Sequence, residues 1–188
     1  MAGRRSLALI ALLGCILAGC SDAASDDPTT TPTESPTSSE RDVIASVPTL
    51  PPAARKDTLK GAEAFIRHYI ELRNYASNTG DTKEFRAASD SCSGCDKYAQ
   101  LYEKTYAKGG FIRSAGWRTV AAQAFDQRTS VAVLVTAAAP RMSFKRTAED
   151  TKEIGRGGRY KLRFELKQHH GRWVVTEFGV QPKLPQDR

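Results

Sequence analysis

The 188-residue chain has little of what most reaction classes need: four cysteines, three histidines and two methionines. No second Cys/His pair stands at finger spacing from Cys92 and Cys95, which removes a zinc-finger site. The glycines at 155–158 lack the strand-to-helix context of a phosphate loop. No matched Asp-Tyr or Asp-Arg-Asp set announces a catalytic centre, and nothing implies a cofactor. Long apolar runs are missing as well. The most apolar stretch, residues 7–17, makes a helix of roughly 16 Å, against about 30 Å of bilayer hydrocarbon, and is too short to span comfortably.

That stretch follows Arg4 and Arg5 and ends in small residues before Cys20, the order of a secretory signal peptide. Leu17-Ala18-Gly19-Cys20 resembles the lipobox of bacterial lipoproteins. The resemblance implies that residues 1–19 are a signal peptide, that the Cys20 thiol is diacylglycerated, and that cleavage leaves Cys20 as the first mature residue. The rest of the twin-arginine pattern is missing around Arg4-Arg5, so the general secretory route is expected. The alternative is an ordinary leader with a chance cysteine. Two acyl chains, at about 0.8 kcal/mol per buried methylene, anchor a protein without a spanning helix. The expected location is the outer face of the cell membrane.

Residues 20–52 read as the lipidated cysteine and a tether. Eighteen of the thirty-two residues at 21–52 are Ser, Thr or Pro, and almost no large apolar side chain precedes Val43. Such a segment buries too little apolar surface to offset the entropy of ordering it. It is either a bare linker or a carrier of O-linked sugars. Charge divides at the same boundary: residues 21–52 carry six acidic side chains and one basic, whereas residues 53–188 carry 25 basic and 15 acidic. A basic domain beside a membrane attracts an anionic envelope polymer, lipid or another envelope protein; an exported chain is a poor partner for nucleic acid.

Residues 53–188 form one expected domain. Ala62, Phe65, Ile66, Tyr69, Leu72 and Ala76 recur at helical spacing, with Lys60, Glu63, Arg67, Glu71 and Asn74 largely elsewhere on the wheel. Asp57 or Thr58 caps this helix and the sequence at 78–81 ends it. A short helix is expected at 82–88, capped by Asp81, and a third at 95–108, stopped by Gly109-Gly110. Strands are expected at 117–125, 129–138, 159–167 and 173–181, the last two joined at His169-His170-Gly171. The class is α+β, with N-terminal helices packed on a curved antiparallel sheet.

Tyr75-Ala76-Ser77-Asn78-Thr79-Gly80-Asp81, then Ser91-Cys92-Ser93-Gly94-Cys95, then a meander closing on Gly171-Arg172-Trp173-Val174-Val175, resemble a family of uncharacterised lipoproteins from high-GC Gram-positive bacteria. The order of elements also resembles the cone-shaped roll of the nuclear-transport-factor-two-like superfamily, a cystatin-like roll. Neither resemblance carries an activity with it, because unrelated functions share folds. In isomerases and hydrolases of that roll, Asp, Tyr or His side chains line the cone. His68, Tyr69, Tyr98, Tyr102 and Trp117 are the corresponding pocket candidates here, and core packing is the plain alternative.

Cys92 and Cys95 are expected to bridge in an oxidising compartment; a redox pair is the competing reading. Lys145, Arg146, Arg156, Arg159, Lys161, Arg163 and Lys167 offer a cationic surface for an anionic partner, or simply a solvated face. Residues 144–158 are expected as a long loop. Taken together, these features predict a membrane-anchored binding or scaffolding lipoprotein. The alternatives are a small hydrolase or isomerase using the cone, and a redox helper.

Overall fold

The computed structural model describes residues 46–181. Cys20, the leader and most of the tether lie outside the described residues. Among the described residues no helix is long and apolar enough to cross a membrane.

A 3-10 turn, Pro52–Arg55, leads into α1 (Leu59–Thr79). The Thr58 side chain caps α1 by accepting from the Gly61 N–H at 3.0 Å. Gly80 ends the helix at φ 81°, with the Tyr106 ring where a β-carbon would stand. Helix α2 (Lys83–Ala87) is shorter than expected, and Thr82 holds the cap position. Asp81 still acts there, accepting from the Lys83 N–H at 3.1 Å. Helix α3 (Ser93–Ala107) begins two residues early because Cys92 caps it.

Seven strands follow: β1 (Gly109–Ser114), β2 (Arg118–Asp126), β3 (Val131–Ala139), β4 (Met142–Thr147), β5 (Glu153–Gly155), β6 (Gly158–His169) and β7 (Arg172–Val180). They form an antiparallel sheet β2-β3-β6-β7 and a smaller sheet β1-β4-β5. The four expected strands make the first sheet. Tyr160, Leu162, Phe164 and Leu166 turn toward α1, while Lys161, Arg163, Glu165 and Lys167 take the outer face. His170 and Gly171, at φ 50° and 72°, make the two-residue turn between β6 and β7.

The second sheet corrects the expected long loop. Strands β3 and β6 continue past a bend at Pro140-Arg141 and Arg156-Gly157 as β4 and β5, and β1 pairs with β4. Strands β4 and β5 are the far half of one long bent hairpin. At the bend a β-carbon on Gly157 would stand 2.6 Å from the Ala139 carbonyl oxygen, so only glycine permits the approach.

The core lies between α1 and the four-stranded sheet. Ile66 and Tyr69 from the helix and Val133, Leu166 and Val175 from the sheet are all less than 2 % exposed. The segment after α2 extends β7 at its edge. Asp90 N–H donates to the Val175 carbonyl at 2.9 Å, and Val175 N–H donates to the Ala88 carbonyl at 3.0 Å.

Candidate functional site

The sequence candidates Tyr69, Tyr98, Tyr102 and Trp117 meet between the helices and the sheet, in two tiers. Tyr69 and Tyr102 are buried with Phe85 and Phe164, ring to ring at 5.0 to 6.5 Å. This tier is part of the hydrophobic core. Burial pushes both phenols up. The second tier is half-buried, at the end of the sheet where β2 and β6 begin. There Trp117 stacks on Tyr160 at 4.9 Å, and Tyr98 leans on Phe178 at 5.5 Å.

Arg73, on α1, lies between these two pairs, its guanidinium carbon 4.3 Å from the Trp117 ring centre and 4.7 Å from that of Tyr98. Its Nε is buried without a hydrogen-bond partner, and no carboxylate among the described residues forms a salt bridge with it. Sequence reasoning passed over Arg73. The signal was present: Arg73 stands four residues after Tyr69 and three before Ala76, a cation inside the apolar stripe.

Asn74 is a correction of the opposite kind. Expected away from the core, it is only 8 % exposed, because its amide bonds the backbone of Trp117 in both directions, at 2.9 and 2.8 Å. This clamp sets the Trp117 ring against Arg73.

His68 does not join these tyrosines. It is buried on the neighbouring face of α1 beside Phe65, Leu72 and Trp173, where burial lowers its pKa. His169 and His170 are exposed at the turn. No acidic side chain is among the buried residues described, and no three His, Cys, Asp or Glu side chains there come together as a metal site.

Cys92 and Cys95 form a disulfide with α-carbons 5.2 Å apart. At 2 % and 1 % exposure neither sulfur is open to an attacking thiolate, which removes the access a redox helper needs. The Cys92 sulfur accepts from the Cys95 N–H at 3.2 Å, so the bridge also caps α3. Beside it Gly94 packs against the Phe178 carbonyl on β7.

The cationic candidates divide between the two sheets. Arg159, Lys161, Arg163 and Lys167 lie on β6, and Arg118 on β2 joins them across Ala138. Arg163 is paired with Glu165. Lys145 and Arg146 lie on β4, where Lys145 donates to the Ala148 carbonyl at 2.6 Å and Arg146 is paired with Glu153. Arg156 is exposed at the hairpin bend.

Residues 35–179 match a family described as a family of unknown function, DUF6318. No curated protein matches the chain. Among solved structures, the intermembrane-space region of the chloroplast protein ARC6 is similar over 68 % of this chain and 99 % of that one, at a TM-score of 0.53 and 12 % identity. A protein designated Rd1NTF2_05 aligns over 62 % of this chain and 96 % of that one, at a TM-score of 0.39 and 11 % identity. A function-unknown protein from Mycobacterium tuberculosis aligns over 65 % and 73 %, at a TM-score of 0.42 and 13 % identity. At such identities, the likeness to the ARC6 region is one of fold.

Proposed function

Starting from the family of unknown function DUF6318, to which the chain belongs, we propose that it is a lipid-anchored protein of the outer face of the cell membrane whose domain binds an anionic envelope polymer. The anchor is Cys20, in the lipoprotein setting of high-GC Gram-positive bacteria that the sequence resembles. The tether at 20–52 carries the domain at 53–188.

The observation that supports binding is Arg73. Arg73 is half-buried, its guanidinium held between Trp117 and Tyr98 with no acid salt-bridged to it among the described residues, and this leaves its charge to be met by a phosphate or carboxylate that approaches the exposed part of the side chain. Such a charge is stabilised by a visiting anion more than by the rings alone. Arg118, Arg159 and Lys161, on the outer face at the same end of the sheet, add the field that draws a polyanion in. The enzyme alternative wants an acid–base pair inside the cone, and no acidic side chain is among the buried residues described there.

The test uses the full chain and a glycerol-phosphate polymer as probe. Binding is expected to weaken steeply as sodium chloride rises. Arg73→Gln is expected to lower affinity about tenfold, the order of one charge-assisted hydrogen bond, with the melting temperature kept. Salt-independent binding, or an Arg73→Gln variant that binds like the parent, would refute the reading. Separately, Cys20→Ala in the producing cell is expected to move the protein from the membrane fraction to the medium or wall fraction.

A further inference from the structure

On the neighbouring face of α1 from the arginine, and independent of the reading above, a cavity of about 340 Å³ opens between α1, α2, the 3-10 turn and the β6–β7 turn. Its walls are buried: Phe65 and Leu72 from α1 and Trp173 from β7. The Trp173 Nε1–H already donates to the Lys56 carbonyl at 3.0 Å, which fixes the indole as a wall. One polar side chain joins them, His68, at 5 % exposure. Among the described residues it makes no hydrogen bond; its Nδ1 lies 3.9 Å from Glu71 Oε2, beyond hydrogen-bond reach. Arg55 and Arg172 stand exposed at the opening with Glu84. Neither arginine has an ion pair among the described residues, so the opening is net positive.

A buried polar group without a partner costs free energy that a bound molecule recovers. The cavity is at the lower end of the roughly 300–1,000 Å³ that small-molecule sites occupy. We infer that this cavity is a binding site for a small amphipathic monocarboxylate whose apolar body carries a hydroxyl or carbonyl at its far end. The body lies against Phe65, Leu72 and Trp173, the distal polar group bonds the His68 imidazole, and the carboxylate faces Arg55 and Arg172. Burial lowers the His68 pKa and so favours the neutral imidazole, which suits an uncharged hydroxyl partner.

The test is calorimetric titration of the full chain with 3-(4-hydroxyphenyl)propanoate, its des-hydroxy analogue 3-phenylpropanoate and its methyl ester. Saturable 1:1 binding of the first is expected, about tenfold weaker for each of the other two. His68→Leu keeps the volume and is expected to abolish the preference for the hydroxyl while leaving 3-phenylpropanoate unchanged. Ala87→Trp, from the exposed side of α2, fills the cavity and is expected to remove binding of all three. No saturable binding up to about 5 mM, equal binding of the three probes, or full binding by a folded Ala87→Trp protein would each overturn the proposal. None of these results bears on Arg73 or on polymer binding.

Discussion

Asn74 on α1 pairs its side-chain amide with both backbone groups of Trp117: Nδ2 donates to the carbonyl at 2.9 Å, and Oδ1 accepts from the N–H at 2.8 Å. The amide does for Trp117 what a neighbouring strand would do, one residue before β2 begins. One turn further along α1, Asn78 repeats the device and accepts from the Ser114 N–H at 2.9 Å. Between them the two asparagines fasten the β1–β2 connection to the helix.

Removing the first of these clamps leaves two backbone groups of Trp117 without their partner. Asn74→Ala is therefore expected to cost about 2–3 kcal/mol in urea unfolding, and to release the Trp117 indole from Arg73. Asn74→Asp keeps the acceptor and loses the donor, and is expected to fall between parent and alanine. An alanine variant as stable as the parent would mean that water replaces the amide.

How much of this was legible in the sequence depends on burial. Strand β6 was legible because its alternate residues meet the core on one side and water on the other. Strands β4 and β5 were not, because short runs of half-exposed and exposed residues offer no clean period, and their pairing comes from continuing the β3/β6 hairpin. The resemblance to the roll sets His68 beside Tyr69 as a pocket candidate, yet adjacent helical residues point about 100° apart. His68 follows Phe65 by three and precedes Leu72 by four, and that is the face it shares. Asn74 and Arg73 were missed because a wheel scores polar residues as solvent-facing, and only tertiary partners show otherwise.

The disulfide acts mainly by restraining the unfolded chain, over a short loop. Cys92→Ser with Cys95→Ser is expected to lower stability by about 2 kcal/mol in the loop-entropy account. In the native parent the bridge is expected to resist mild reductant, since both sulfurs are buried. Rapid reduction of the folded protein, followed by free-thiol labelling, would reopen the redox reading.

The bend of the long hairpin rests on Gly157. A β-carbon there would lie 2.6 Å from the Ala139 carbonyl oxygen and 2.9 Å from the Pro140 carbonyl carbon, both backbone atoms that cannot swing away. Gly157→Ala is expected to cost about 1–3 kcal/mol, as overpacking does. The loss should appear first as faster amide exchange in β4 and β5, with β3 and β6 held by their own ladder.

The acid limb of stability is expected to run through Glu103. Arg86 joins α2 to α3 here: its Nε and Nη2 donate to the two Glu103 oxygens at 2.8 and 3.0 Å, and Nη1 donates to Asp96 at 2.9 Å. Thr82 adds a further bond to Glu103. The Arg86 guanidinium holds the Glu103 carboxyl down at about 2, from an ordinary 4.5. A carboxyl whose folded value is depressed binds fewer protons in the folded state than in the unfolded state between those two values. Its stabilisation is thus fully present above about pH 4.5 and is lost as pH falls toward 2. Because the Glu103 side chain is 42 % exposed, solvent screening limits the gain to about 1 kcal/mol. Glu103→Gln is expected to melt lower than the parent at pH 7, and the gap should close between pH 4.5 and 2, where the parent loses the charge that the variant never had. A gap that stays constant over that range would mean that the glutamate works through its shape and hydrogen bonds, with its charge contributing nothing measurable.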